Sequence, residues 1–255
     1  PANLVRINAI LAWLARGVAV GQVKALLDHE QVPQATQTDN WSRQRNELLG
    51  CIVQFNERRL DDRFNSALAL YPASTLVEQL LWPLLGDLRQ RWQGQFGARA
   101  EQVFFLSWLR SKLATRIYHC NRQVGGAPLL LINLGEAPME PGLWLCAWLA
   151  SASDCPVEVF DWPLPSNELL TALEHIAPRA VLLYAEEALE GALVRRQLPR
   201  LAEQCPVPLL LAGPAAHIHR DSLTSLESAS DPLAAHAWLF RNGLLGAQEV
   251  TPCSN

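Results

Sequence analysis

Residues 128–142 read Pro-Leu-Leu-Leu-Ile-Asn-Leu-Gly-Glu-Ala-Pro-Met-Glu-Pro-Gly. The apolar run Leu129–Leu134 is too short for an interior helix, and Gly135 stops it, so it reads as a buried strand followed by a loop. The pattern recurs downstream. Val157–Phe160, Ala180–Tyr184 and Pro208–Ala212 are runs of the same kind, and His236–Phe240 reads as a fifth. Residues 140–152, 166–177, 190–204 and 216–228 lie between or after them and read as helices. Continuously apolar strands alternating with amphipathic helices specify a parallel sheet covered on both faces. Residues 123–245 are therefore expected to form a flavodoxin-like, doubly wound α/β domain, with 246–255 as a tail. In such sheets ligands sit beyond the carboxyl ends of the strands, which singles out the loops after Leu134, Tyr184 and Ala212.

Upstream of Gly125-Gly126 the period is helical. Trp41, Leu48, Leu49, Ile52 and Phe55 mark one helix, and Leu60, Phe64, Ala67, Leu68 and Tyr71 a second that Pro72 breaks. Thr75 and Glu78 have capping-box spacing ahead of a third through Leu76, Leu80, Leu84 and Leu88. Gly94 and Gly97 precede a fourth carrying Val103, Phe104, Leu106, Leu109, Leu113 and Ile117. Residues 40–122 are thus expected to be a four-helix bundle. Residues 29–39 are polar, contain Pro33 and read as a linker, and residues 1–28 read as two short amphipathic helices.

The 255 residues carry a net charge of −4, unevenly spread. Residues 1–122 hold 15 basic against 10 acidic side chains (+5), and residues 123–255 hold 6 against 15 (−9). The composition, 49% hydrophobic and 18% charged, excludes a disordered chain. No apolar run reaches the roughly 20 residues of a membrane span. The six cysteines form no Cys-x-x-Cys pair, which suits thiols in a reducing cytoplasm. Gly-x-Gly-x-x-Gly, Gly-Lys-Ser/Thr and Gly-x-Ser-x-Gly motifs are absent, so no enzyme reading is supported and no catalytic residue is named. His217, His219 and Asp221 alternate at a helix start, point apart and read as surface groups rather than a metal site. Glu186, Glu187 and Glu190 read as a solvated acidic rim.

A helical bundle followed by this α/β pattern resembles the cobalamin-binding modules of methionine synthase and of light-sensing repressors. In that family the loop after the first strand carries Asp-x-His-x-x-Gly, whose His is the lower axial ligand of cobalt. Ser-x-Leu and Gly-Gly follow and line the slot for the nucleotide tail. With Gly142 as the motif's last glycine, 41 residues (143–183) lead to Tyr184-Ala185-Glu186, and 26 more (187–212) lead to Gly213-Pro214. The spacing matches while the chemistry departs. Ala137 stands at the acidic position and Met139 at the axial His; Tyr184 and Glu186 replace Ser and Leu; Pro214 replaces the second Gly. In the helical part Pro83, Gly86 and Trp92 match the helix whose Trp caps adenosylcobalamin, but the family's Glu-His pair is Glu101-Gln102.

Pro1–Leu27 resembles the latter half of a MerR-type winged-helix domain, as in the cobalamin-dependent repressors. The resemblance implies a DNA-binding transcriptional regulator in the cytoplasm. Residues 1–28 would be the end of its DNA-binding domain, the groove-reading elements would lie upstream of residue 1, and the remainder would sense an effector and self-associate. It places the site at Trp92, Glu101, Met139, Gly142, Tyr184 and Gly213. The departures lead to the expectation that the slot is filled by the protein itself. Adenosylcobalamin would then no longer be the cofactor, its role passing to another small molecule, a protein partner or constitutive assembly. The alternatives are a corrinoid carrier or sensor holding cobalamin without a His, and a module for another small ligand.

Overall fold

The computed structural model describes residues 37–246 apart from 95, 138, 163, 224 and 225. The MerR-like residues 1–28, most of the linker and the tail beyond Gly246 lie outside the described residues. Packing divides the chain into two compact units, one up to Trp108 and one from Leu109.

The first unit is helical: α1 (Gln37–Val53), α2 (Glu57–Leu70), α3 (Ala73–Leu76), α4 (Trp82–Trp92) and the start of α5 (Ala98–Asn121). α1 begins inside the stretch read as linker. Asn56 caps α2 by accepting from the Arg59 N–H at 3.1 Å, and Leu60, Phe64 and Ala67 form its buried stripe. The capping box expected at Thr75 and Glu78 does not form. Pro72 occupies the cap position and Thr75 is buried inside the first turn. The inward face of α5 also differs by one residue from expectation. Phe105, Trp108 and Leu109 are buried, whereas Val103 is 52% exposed. Phe105 and Trp108 stack on each other, and Trp108 meets the Phe64 ring edge-on and donates to Asp61.

Between α3 and α4 the chain makes a π-helical turn, Val77–Leu81. Its cause is Pro83, which has no N–H to donate four residues back to Gln79. Arg45 of α1 donates to the Gln79 carbonyl at 3.1 Å instead, and its guanidinium also reaches Ser42 and Asp87. The second unit repeats the device. A π turn at Leu193–Gln197 precedes Pro199.

That second unit is a five-stranded, all-parallel sheet of order β2-β1-β3-β4-β5. The strands are β1 (Leu129–Asn133), β2 (Val157–Phe160), β3 (Ala180–Tyr184), β4 (Leu209–Ala212) and β5 (Glu227–Ala229). Helices α6 (Pro141–Ser151), α7 (Ser166–Ile176), α8 (Leu198–Gln204), α9 (Pro214–Ile218) and α10 (Pro232–Arg241) complete it. The order is that of a flavodoxin-like, doubly wound domain. Leu130, Ile132, Val181, Leu183 and Leu211 form one core with residues of α7 and α8. The alternate residues Leu129, Leu131, Leu182 and Tyr184 face the other way. Two expectations fail here. His236–Phe240 belongs to α10 rather than to a strand, because Asp231 accepts from the Leu233 and Ala234 N–H groups and opens a helix at Pro232. The helix expected over 216–228 ends at Ile218, and β5 occupies its end.

Two polar anchors tie this unit together. Asn121, the last residue of α5, donates to the Val157 carbonyl at 2.7 Å and accepts from its N–H at 3.1 Å, covering the edge strand β2. Arg179, only 7% exposed, donates to the carbonyls of Ala127, Leu244 and Gly246. Arg179→Met leaves those carbonyls without their donor. It is expected to cost about 2–3 kcal/mol, read as a lower urea midpoint at unchanged slope.

Candidate functional site

Each glycine of the motif spacing is set against Tyr184. The tyrosine ends β3, is fully buried, and its hydroxyl donates to Glu186 Oε2 at 3.0 Å. Gly142 lies in the first turn of α6, and a Cβ there would fall on the Tyr184 hydroxyl and ring. Gly213 has φ +99°, which a side chain disfavours, and a Cβ there would strike the Ala185 carbonyl and sit 3.1 Å from the Tyr184 ring. The aromatic ring therefore fills the space between the two glycines. The serine at this position in the related pattern would leave that space open.

The preceding loop is organised by Asn133, a polar residue inside the first apolar run. It is 1% exposed, accepts from the Gly135 N–H at 2.8 Å and donates to the carbonyls of Ala137 and Asp161. Met139 is half-buried in this loop, two residues ahead of α6. Beyond β2, Asp161 is 6% exposed and pairs with Arg110 at 2.8 Å, and the Arg110 guanidinium also lies over the Trp144 ring. Trp144 Nε1 is buried with no hydrogen-bond partner.

Trp92 and Glu101 are neighbours within the helical unit. Arg91 clamps Glu101 with two hydrogen bonds, of 2.9 and 3.1 Å. That clamp holds the Glu101 carboxyl below the usual carboxylate range, and desolvation offsets only part of the effect. The Trp92 N–H adds to it but falls short of hydrogen-bonding geometry and stays buried without a partner. The Trp92 ring packs at a tilt on Phe105, 6.5 Å between centroids. Trp92 thus packs on an aromatic neighbour, and Glu101 is ion-paired with Arg91.

The structure brings Gly142, Tyr184 and Gly213 into one cluster and pairs the surroundings of Trp92 with Glu101. Sequence reasoning missed Asn133 and Arg110–Asp161. The one available signal was a lone amide in an apolar run, since nothing links residues 110 and 161 in sequence. Glu186, read as solvated rim, is the half-buried acceptor for Tyr184, because a buried phenol needs a partner. His219, read as a surface group, accepts from the Leu189 N–H at 2.9 Å. No His/Cys/Asp/Glu group among the described residues has metal-binding geometry.

A family model described as a B12 binding domain matches residues 44–117, from within α1 through most of α5. Among solved structures, the monomethylamine corrinoid protein of Methanosarcina barkeri aligns with a TM-score of 0.56 at 14% identity, covering 80% of this chain and 98% of that one. The methanol:cobalamin methyltransferase complex of the same organism aligns with a TM-score of 0.40 at 14% identity, covering 88% and 90%. No curated protein sequence matches the chain. Residues 44–117 are therefore similar to B12-binding domains, and the fold of the chain resembles that of the corrinoid protein. No helix among the described residues is long and apolar enough to cross a membrane.

Two outcomes follow from this geometry. Gly142→Ala should destabilise by about 1–3 kcal/mol through overpacking against Tyr184, and Tyr184→Ser should remove most of that cost in a double-mutant cycle of urea unfolding. A carboxyl with a depressed folded pKa contributes stability above its unfolded value, about 4.3, and loses it as pH falls through the folded one. The stability gap between wild type and Glu101→Gln should therefore be full at pH 7 and shrink as the unfolding buffer is taken below about pH 4.

Proposed function

We propose that this chain is a corrinoid-type binding module, acting as carrier or sensor, that holds its ligand without an axial histidine and without burying a nucleotide tail. The observation that carries the reading is the Tyr184 ring packed between Gly142 and Gly213. The match of residues 44–117 to B12 binding domains supports the ligand class. The residues present do not fit cobalamin with its tail drawn into the sheet. The ring occupies the space, Pro214 stands where a second glycine would allow close approach, and Met139 offers a thioether rather than an imidazole. What the residues do allow is a corrinoid whose nucleotide stays outside the α/β unit. No residue of the chain is assigned a catalytic role.

Dark incubation with adenosylcobalamin and, separately, with tail-less cobinamide, followed by desalting and visible spectroscopy, tests this. Both corrinoids are expected to be retained to a similar extent, with cobalamin keeping its own base on cobalt. A base-off spectrum of tightly held cobalamin overturns the closed-slot reading. Retention of neither corrinoid overturns the ligand class.

A second reading rests on residues 1–28 and their MerR-like pattern, which lie outside the described residues. The module would then be the effector-sensing, self-associating part of a cytoplasmic transcriptional regulator that meets DNA through a segment upstream of residue 1. An in-frame helix-turn-helix and wing in the upstream coding sequence supports this reading, and an unrelated upstream sequence removes it.

A further inference from the structure

We infer that the α/β unit carries a second, separate ligand site: a pocket for a small organic amine, an ammonium head on an apolar body. A cavity of about 490 Å³ opens at the carboxyl ends of β1 and β3. Its volume falls within the range of small-molecule sites, and the sheet's order reverses between these two strands. The pocket shares no residue with the Gly142, Tyr184 and Gly213 cluster. Its wall comes from the opposite face of the sheet, where Ile132, Leu169, Leu198 and Leu201 belong to the core formed with α7 and α8.

The lining selects the ligand's chemistry. Leu169, Leu193, Leu198 and Leu201 offer an apolar interior. Glu136, Glu187 and Glu190 stand exposed around the opening, and Glu140, 7% exposed, lines it further in. No Lys, Arg or His is among the described residues of the lining. A lining with four carboxylates and no cationic side chain beside an apolar wall repels anions and gains from a cation, so the complementary molecule carries positive charge at one end and hydrocarbon at the other.

The opening is also built rather than loose. His219 Nε2 accepts from the Leu189 N–H at 2.9 Å and pins the segment between Glu187 and Glu190. Across the opening, Asn133 holds Gly135 and Ala137 on either side of Glu136. Loops fixed in this way lose little backbone freedom on binding.

Isothermal titration of the full chain with tryptamine and with hexylamine tests the site, using indole-3-propionate and hexanoate as matched anions. One-to-one binding of the amines and none of the anions is expected. Glu187→Gln/Glu190→Gln should weaken amine binding about fivefold at low salt and less at high salt, as expected for exposed charges. Leu193→Trp, which fills the pocket, should abolish it. The charge variants leave the core untouched and keep the test open where the bulky variant does not fold. Absence of saturable amine binding up to about 1 mM, equal binding of the anions, or unchanged affinity in the charge variant would overturn the site. Corrinoid retention does not enter any of these outcomes.

Discussion

The α/β unit is organised around one steric constraint, the burial of the Tyr184 ring between two glycines. Gly142 has no side chain, so the first turn of α6 can lie against the ring. Gly213 accepts a positive φ, so the chain can leave β4 beside the Ala185 carbonyl without collision. A phenol fully out of water also demands an acceptor, and Glu186 supplies it from the same turn. The three motif positions that in the related pattern surround a nucleotide tail are here satisfied by each other. Gly142 and Gly213 are each required by the packing of their own backbone against the Tyr184 side chain or the Ala185 carbonyl.

The polar groups inside the same unit follow an equivalent logic. Asn133, Arg179 and Asn121 each spend their hydrogen-bonding capacity on backbone atoms of other segments. The loop after β1, the chain around Leu244 and the edge strand β2 are tied down this way, each where no regular ladder satisfies them. The helical unit solves a related problem at Pro83. The missing N–H widens the helix into a π turn, and Arg45 takes the carbonyl left over. The pocket on the other face of the sheet from Tyr184 draws on the Asn133 tie and on His219, which accepts from the Leu189 N–H at its opening.

Much of the fold was legible because periodicity is local. The apolar runs at Leu129, Val157, Ala180 and Pro208 appear as strands, and the four helical stretches appear as helices. The misreadings occurred where a local signal had two outcomes. His236–Phe240 is apolar enough for a strand, but the cap at Asp231 two residues ahead of Leu233 commits it to helix. Glu227–Ala229 is too short and too polar to announce itself, and it becomes a strand only because β4 offers its edge. At the site, the spacing of Gly142, Tyr184 and Gly213 was visible in the sequence, and the structure sets both glycines against the tyrosine ring.

The amino-acid sequence by itself determined the order of elements from the first helix through β4, the absence of an imidazole at position 139 and the presence of a large ring at position 184. Those are properties of single residues and short periods. The tertiary structure alone decided that both glycines face the same ring, that Glu186 accepts from Tyr184, and that four glutamates line one partly apolar pocket. Residues dozens of positions apart share no local signal. Only the pairing of parallel strands, which brings the ends of β1, β3 and β4 to one edge, makes them neighbours.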